Sequence, residues 1–165
     1  MRTASGAAVL VAGAVLQVTL APHLTLGGVF PNLVLVAVAG WTLIAGAGAG
    51  IRWALAGGLL LDLLSPGPIG LHALALATAA YAAGFLQRSY AADPLVLPAT
   101  AGGVAALAYN LVLVAAGELL GSRQLLGAVM SHWVLPATLY DALLTPVAVL
   151  LLARVDQRFP RRQPV

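Results

Sequence analysis

Residues 57–74 read GGLLLDLLSPGPIGLHAL, an apolar run with one carboxylate, Asp62, that breaks at Ser65-Pro66-Gly67-Pro68 and then resumes at Ile69. Proline removes a backbone donor and glycine opens turn conformations, so the break predicts a helix end, an irregular tip and a new helix start. A carboxylate inside so apolar a run needs a partner, which makes Asp62 the best handle on function.

The rest of the chain repeats this character. It is 61% hydrophobic and 8% charged, with a mean hydropathy of +0.99, outside the range of soluble domains. The expectation is an integral membrane protein: a single polytopic domain over residues 1–165, with 154–165 as a basic cytoplasmic tail and no polar region long enough to fold in water. The absence of cysteine excludes disulfides, thiolate metal sites and cysteine nucleophiles. The net charge of +3 comes from arginine without lysine, and Arg154, Arg158, Arg161 and Arg162 cluster at the C-terminal end. Such an end beside a span reports topology and anionic lipid, not nucleic acid.

A helix needs about 20 apolar residues to cross a bilayer core, and cutting the chain at its polar and Pro/Gly punctuation predicts about six helices in a compact bundle. They run approximately over 5–21, 32–49, 51–65, 69–87, 94–120 and 131–153. The third is short, reaching only about 22 Å, so it either begins earlier, around Ala47, or stops short of a full span. The run Gly46-Ala47-Gly48-Ala49-Gly50 predicts a tight turn before it. Arg2, Arg52, Arg88 and the C-terminal arginines fall on one side of this arrangement and Arg123 on the other, which puts both termini in the cytoplasm. A cleavable signal ending near Ala21 is the disfavoured alternative, because its apolar run is long and its loss would spoil the charge bias. Small residues recur throughout the spans and their density favours close helix approach, whereas any single pair, such as Gly46-x-x-x-Gly50 or Gly117-x-x-x-Gly121, is expected by chance in so Ala/Gly-rich a chain.

Besides Glu118 at an outer helix end, two acids lie within the spans. For Asp62 the functional reading is a ligand, proton or partner site. The structural reading, which is favoured, is a hydrogen-bonded fastening of the tip, with backbone N–H groups at Ser65, Gly67 and Gly70 as donors. Asp141 falls near the bilayer midplane, where an ionised acid costs roughly 3 kcal/mol. Pro146 predicts a kink beside it, and Tyr109 and Asn110, at similar depth in the fifth helix, are candidate partners. A polar clamp between the fifth and sixth helices is favoured over a transported-ion site. Glu118 and Arg123 flank an outer helix end. His23, His72 and His132 are too scattered for a metal site, and Trp41, Trp53 and Trp133 suit interfacial anchoring or helix packing. No nucleophile–base pair, phosphate-cradling loop or HExxH motif occurs, so neither catalysis nor a cofactor is expected.

Certain of these residues resemble a known family. Pro31-Asn32 opening the second helix, Gly57-Gly58-Leu59-Leu60-Leu61-Asp62-Leu63-Leu64-Ser65 followed by Gly70-Leu71, and Leu143-Leu144-Thr145-Pro146 before a basic end resemble MreD, the rod shape-determining membrane protein of bacterial cell elongation. The resemblance covers nearly the whole chain. It implies a non-catalytic inner-membrane scaffold that associates with the bitopic protein MreC. The wider machinery holds the glycosyltransferase RodA, its transpeptidase, RodZ and the actin-like MreB. Pro31, Asn32, Asp62 and Gly70 would be the family's recurrent structural or interface positions. Ser65, Asn110, Asp141 and Pro146 join them as candidates from the residues themselves. Asp141 stands where relatives often carry a neutral polar residue, which leaves its role open.

The family is also similar in fold to the substrate-binding components of energy-coupling-factor transporters. The alternative function is therefore vitamin-type uptake, against which the outer loops are short and poor in convergent polar groups. An ion channel through Asp62 and Asp141 lacks a string of polar residues joining their depths.

Overall fold

In a computed structural model of the chain, the described residues are 13, 15, 17, 19, 29–65, 67–89, 93, 95–121 and 126–158. They build five main helices: α1 (Leu33–Ala45), α2 (Ala47–Leu64), α3 (Leu71–Ser89), α4 (Val96–Leu119) and α5 (Leu135–Arg158). A helical turn, Leu126–Val129, and a π-helical stretch, Met130–Val134, lead without a break into α5. Of the first expected helix, Gly13, Val15, Gln17 and Thr19 are helical. Its other residues, Arg123 and the tail beyond Arg158 lie outside the described residues.

Three helices are long and apolar enough to cross a membrane, Ala47–Leu64, Val96–Leu119 and Gly127–Asp156, and two shorter apolar helices, Leu33–Ala45 and Leu71–Gln87, pack among them. The chain is thus a multi-pass membrane protein with an all-α body. The third expected segment begins at Ala47, the earlier of its two possible starts. The turn before it is made by Gly46 alone, at φ +88°, a conformation that costs a residue with a Cβ roughly 1–2 kcal/mol. Its N–H donates to the Thr42 carbonyl at 2.8 Å, and its own carbonyl accepts from Gly50 at 3.0 Å. The Gly-rich run is otherwise helical, so α1 ends four residues earlier than the expected 49.

The helix α1 occupies the middle of the bundle and touches each of the other four. Val34, Leu35 and Val38 are completely buried, packed with Leu76, Ala79 and Ala83 of α3 and Ala101 and Ala105 of α4. Alanine and glycine dominate these contacts because, in lipid, close backbone approach replaces the hydrophobic effect as the source of association. A Cβ on Gly58 would overlap the Ala73 backbone between α2 and α3, and one on Gly102 would overlap the Thr145 side chain between α4 and α5. Of the two spaced glycine pairs, neither acts as a pair, in keeping with density across the chain as the signal. Gly50 lies against Thr42 while Gly46 makes the turn, and Gly121 sits past the end of α4 at positive φ. Leu63, Leu74, Phe85, Leu119 and Leu143 point outward, as lipid-facing side chains do.

Thirteen residues give α1 a length of about 20 Å, well under the roughly 30 Å of a hydrocarbon core. Its start lies beside the buried Val29 and Pro31, and the free N–H groups of a helix terminus there need partners.

Candidate functional site

Asp62 sits in the last turn of α2 and is 5% exposed. Its Oδ2 accepts the Gly70 N–H at 2.8 Å and the Ala73 N–H at 3.4 Å; its Oδ1 accepts the His72 N–H at 2.9 Å and lies 2.8 Å from His72 Nδ1. These backbone donors belong to the first turn of α3, whose N–H groups have no partner within their own helix. A carboxylate at a helix N-terminus is also favoured by the helix dipole. Asp62 of one helix thus caps the next and draws the hairpin closed. Gly70 donates as expected from sequence, but the other donors are His72 and Ala73 in place of Ser65 and Gly67. Ser65 terminates α2 in extended backbone and faces a cavity. The chain then turns through Pro68, whose carbonyl accepts the Leu71 N–H.

A second cap gathers three segments at the start of α1. The Asn32 N–H donates to Asp141 Oδ1 at 2.8 Å, the Leu33 N–H to Gln17 Oε1 at 2.6 Å, and the Leu35 N–H to Asn32 Oδ1 at 3.0 Å. Gln17 returns a bond from Nε2 to the Pro31 carbonyl at 3.2 Å. Pro31, which has no N–H to satisfy, is fully buried beside them. The Tyr109 hydroxyl meets the Asn32 side chain.

This arrangement corrects the expected partner of Asp141. Tyr109 and Asn110 are not its hydrogen-bond partners; the carboxylate reaches the backbone of α1, so the clamp joins α5 to α1 and not to α4. Asn110 lines the cavity instead. Pro146 lies inside α5, which continues through it to Arg158. Thr145 Oγ1 donates to the Asp141 carbonyl at 2.7 Å, tightening the turn that carries the acid.

Sequence inspection missed Gln17, although it stands alone as an amide between Leu16 and Val18 in the first apolar segment. It also missed Gln87, whose Nε2 donates to the Leu43 carbonyl at 2.8 Å and ties α3 to α1. Both carried the signal that any amide in an apolar span carries.

The two caps flank one cavity of about 360 Å³. Gln17, Asn32, His72, Tyr109, Asn110 and Asp141 reach it from the first segment, α1, α3, α4 and α5. A smaller cleft of about 140 Å³ adjoins it through Asn110 and Trp133 and extends to Glu118. Among the described residues no group of acids and histidines is arranged to hold a metal ion. The polar chemistry present is hydrogen bonding, aimed first at helix termini and then at the cavity.

The family model for rod shape-determining protein MreD matches residues 2–155 of the chain. No curated protein and no solved structure matches it. With nearly its whole length matched and an apolar multi-helix body, the chain belongs to the MreD family of membrane proteins involved in rod shape determination.

Proposed function

We propose that this protein is a non-catalytic scaffold of the bacterial cell-elongation complex, binding an MreC-like bitopic protein in the plasma membrane and supporting peptidoglycan synthesis and cell shape. A RodA-type glycosyltransferase, its transpeptidase, RodZ and MreB complete the wider assembly, and both termini lie in the cytoplasm. The observation that carries this reading is the family match over residues 2–155. The pinned hairpin tip and the capped start of α1 support it, since both use polar side chains to hold helices in place. Small-residue contacts inside the bundle leave broad apolar faces for partner helices.

The test is to solubilise the tagged protein mildly from its native membrane and identify what accompanies it. Elongation proteins are expected, led by a bitopic coiled-coil protein. Recovery of a vitamin with a transporter ATPase module, and no elongation proteins, would overturn the scaffold in favour of an energy-coupling-factor substrate component.

A further inference from the structure

We propose that the cavity between the segment leading into α1, the end of α2, α4 and α5 binds a small amphiphile with an apolar body and a cationic or hydrogen-bond-donating head, such as a primary amine. At about 360 Å³ it falls in the range of small-molecule sites, roughly 300–1,000 Å³. Leu61, Leu113 and Trp133 supply apolar wall, while Asn110 and Asp141 supply polar groups. No arginine or lysine lines it among the described residues, so an anionic head would find no cation to pair with.

The two buried acids differ in how the fold uses them. Both Asp62 oxygens are engaged, by three backbone N–H groups and the His72 ring. Asp141 is 2% exposed, and only its Oδ1 has a donor, the Asn32 N–H. Its Oδ2 and the whole Asn110 carboxamide have no hydrogen-bond partner among the described residues. Acceptors that open onto the cavity beside an apolar wall suit a ligand that brings donors. The helices already in place close the α1 terminus without them, so the open acceptors are not required by the fold.

The test uses the full-length protein in phosphatidylcholine nanodiscs, carrying Trp41→Phe and Trp53→Phe so that Trp133 is its only tryptophan. Three probes share one body and differ in head: 4-phenylbutylamine, 4-phenylbutanol and 4-phenylbutyrate. Titration with the amine is expected to change Trp133 fluorescence saturably, with the alcohol weaker by about tenfold and the carboxylate giving no saturable change. Ala137→Phe, which projects a ring into the cavity, should abolish the saturable response. Asp141→Asn should keep the acceptor for Asn32 yet erase the preference for amine over alcohol. Equal responses to amine and carboxylate, or an amine response that survives Ala137→Phe, would overturn the proposal as bilayer partitioning. So would a bitopic protein's helix that photo-crosslinks at position 133 and is not displaced by the amine. Co-purification of elongation proteins is read separately, so the scaffold and the ligand site can each fail alone.

Discussion

The backbone N–H of Asn32 donates to Asp141 Oδ1 at 2.8 Å, joining residues 109 positions apart in the chain. This bond supplies a partner to one of the backbone donors that the start of a helix leaves free. Replacing Asp141 by leucine leaves the Asn32 N–H unpaired, at an expected cost of about 1–3 kcal/mol. Asp141→Asn keeps a carbonyl oxygen in the same place and should cost clearly less. Thermal unfolding of the two variants in one detergent, followed by circular dichroism, compares them directly; equal losses would contradict the capping role.

Asp62 serves the next helix in the same way, but over a short loop. Asp62→Ala removes the acceptor for Gly70, His72 and Ala73 together, and a loss of about 2–4 kcal/mol is expected, since bonds to a charged acceptor are worth roughly 1.5–3 kcal/mol each and are not additive. The effect should be local. Hydrogen exchange should accelerate at the amides of residues 70–73 and leave the middle of α4 unchanged. Uniform acceleration throughout the bundle would mean that Asp62 holds more than the tip.

Much of the Asp62 cap was legible in the sequence because its partners lie within 11 residues downstream, across a break marked by proline and glycine. The Asp141 cap was not. Estimating its depth from full-length spans pointed to Tyr109 and Asn110, residues at matching depth in a long helix. The true partner is a backbone donor at the start of α1, a helix of only 13 residues, and backbone donors carry no signal in the side-chain sequence. At its other end α1 is shortened by Gly46 taking the whole turn, which no composition of the Gly-rich run distinguishes from a longer loop. The cavity was illegible because its polar residues come from six separate segments, and only packing brings them together.

Close approach of α2 and α3 makes a specific demand at Gly58. A Cβ there would overlap the backbone of Ala73, which cannot rotate away as a flexible side chain can. Gly58→Ala is expected to destabilise the protein by about 1–3 kcal/mol through overpacking. Gly48→Ala, with nothing within 4 Å of the added carbon, should be neutral or stabilising by up to about 1 kcal/mol through helix propensity. Chemical denaturation of both variants in mixed micelles checks the contrast, and similar behaviour at the two sites would remove the packing argument.

Gln17 offers the sharpest separation between packing and hydrogen bonding at the α1 cap. Its amide makes two bonds to adjacent residues, accepting from the Leu33 N–H and donating to the Pro31 carbonyl. Gln17→Met preserves the length and flexibility of the side chain and removes both, so any loss reports the bonds. About 1–3 kcal/mol is expected, because the exposed partners are backbone groups at a buried helix start. Gln17→Glu keeps the acceptor for Leu33 but replaces the donor to Pro31 with an oxygen. If the Leu33 bond dominates, as its shorter 2.6 Å distance suggests, the glutamate variant should retain more stability than methionine at high pH. Combining Gln17→Met with Asp141→Leu should then produce a loss different from the sum of the single losses, since both act on the same terminus. Strict additivity in that cycle would show that the first segment and α5 hold α1 independently, and the shared cap would have to be abandoned.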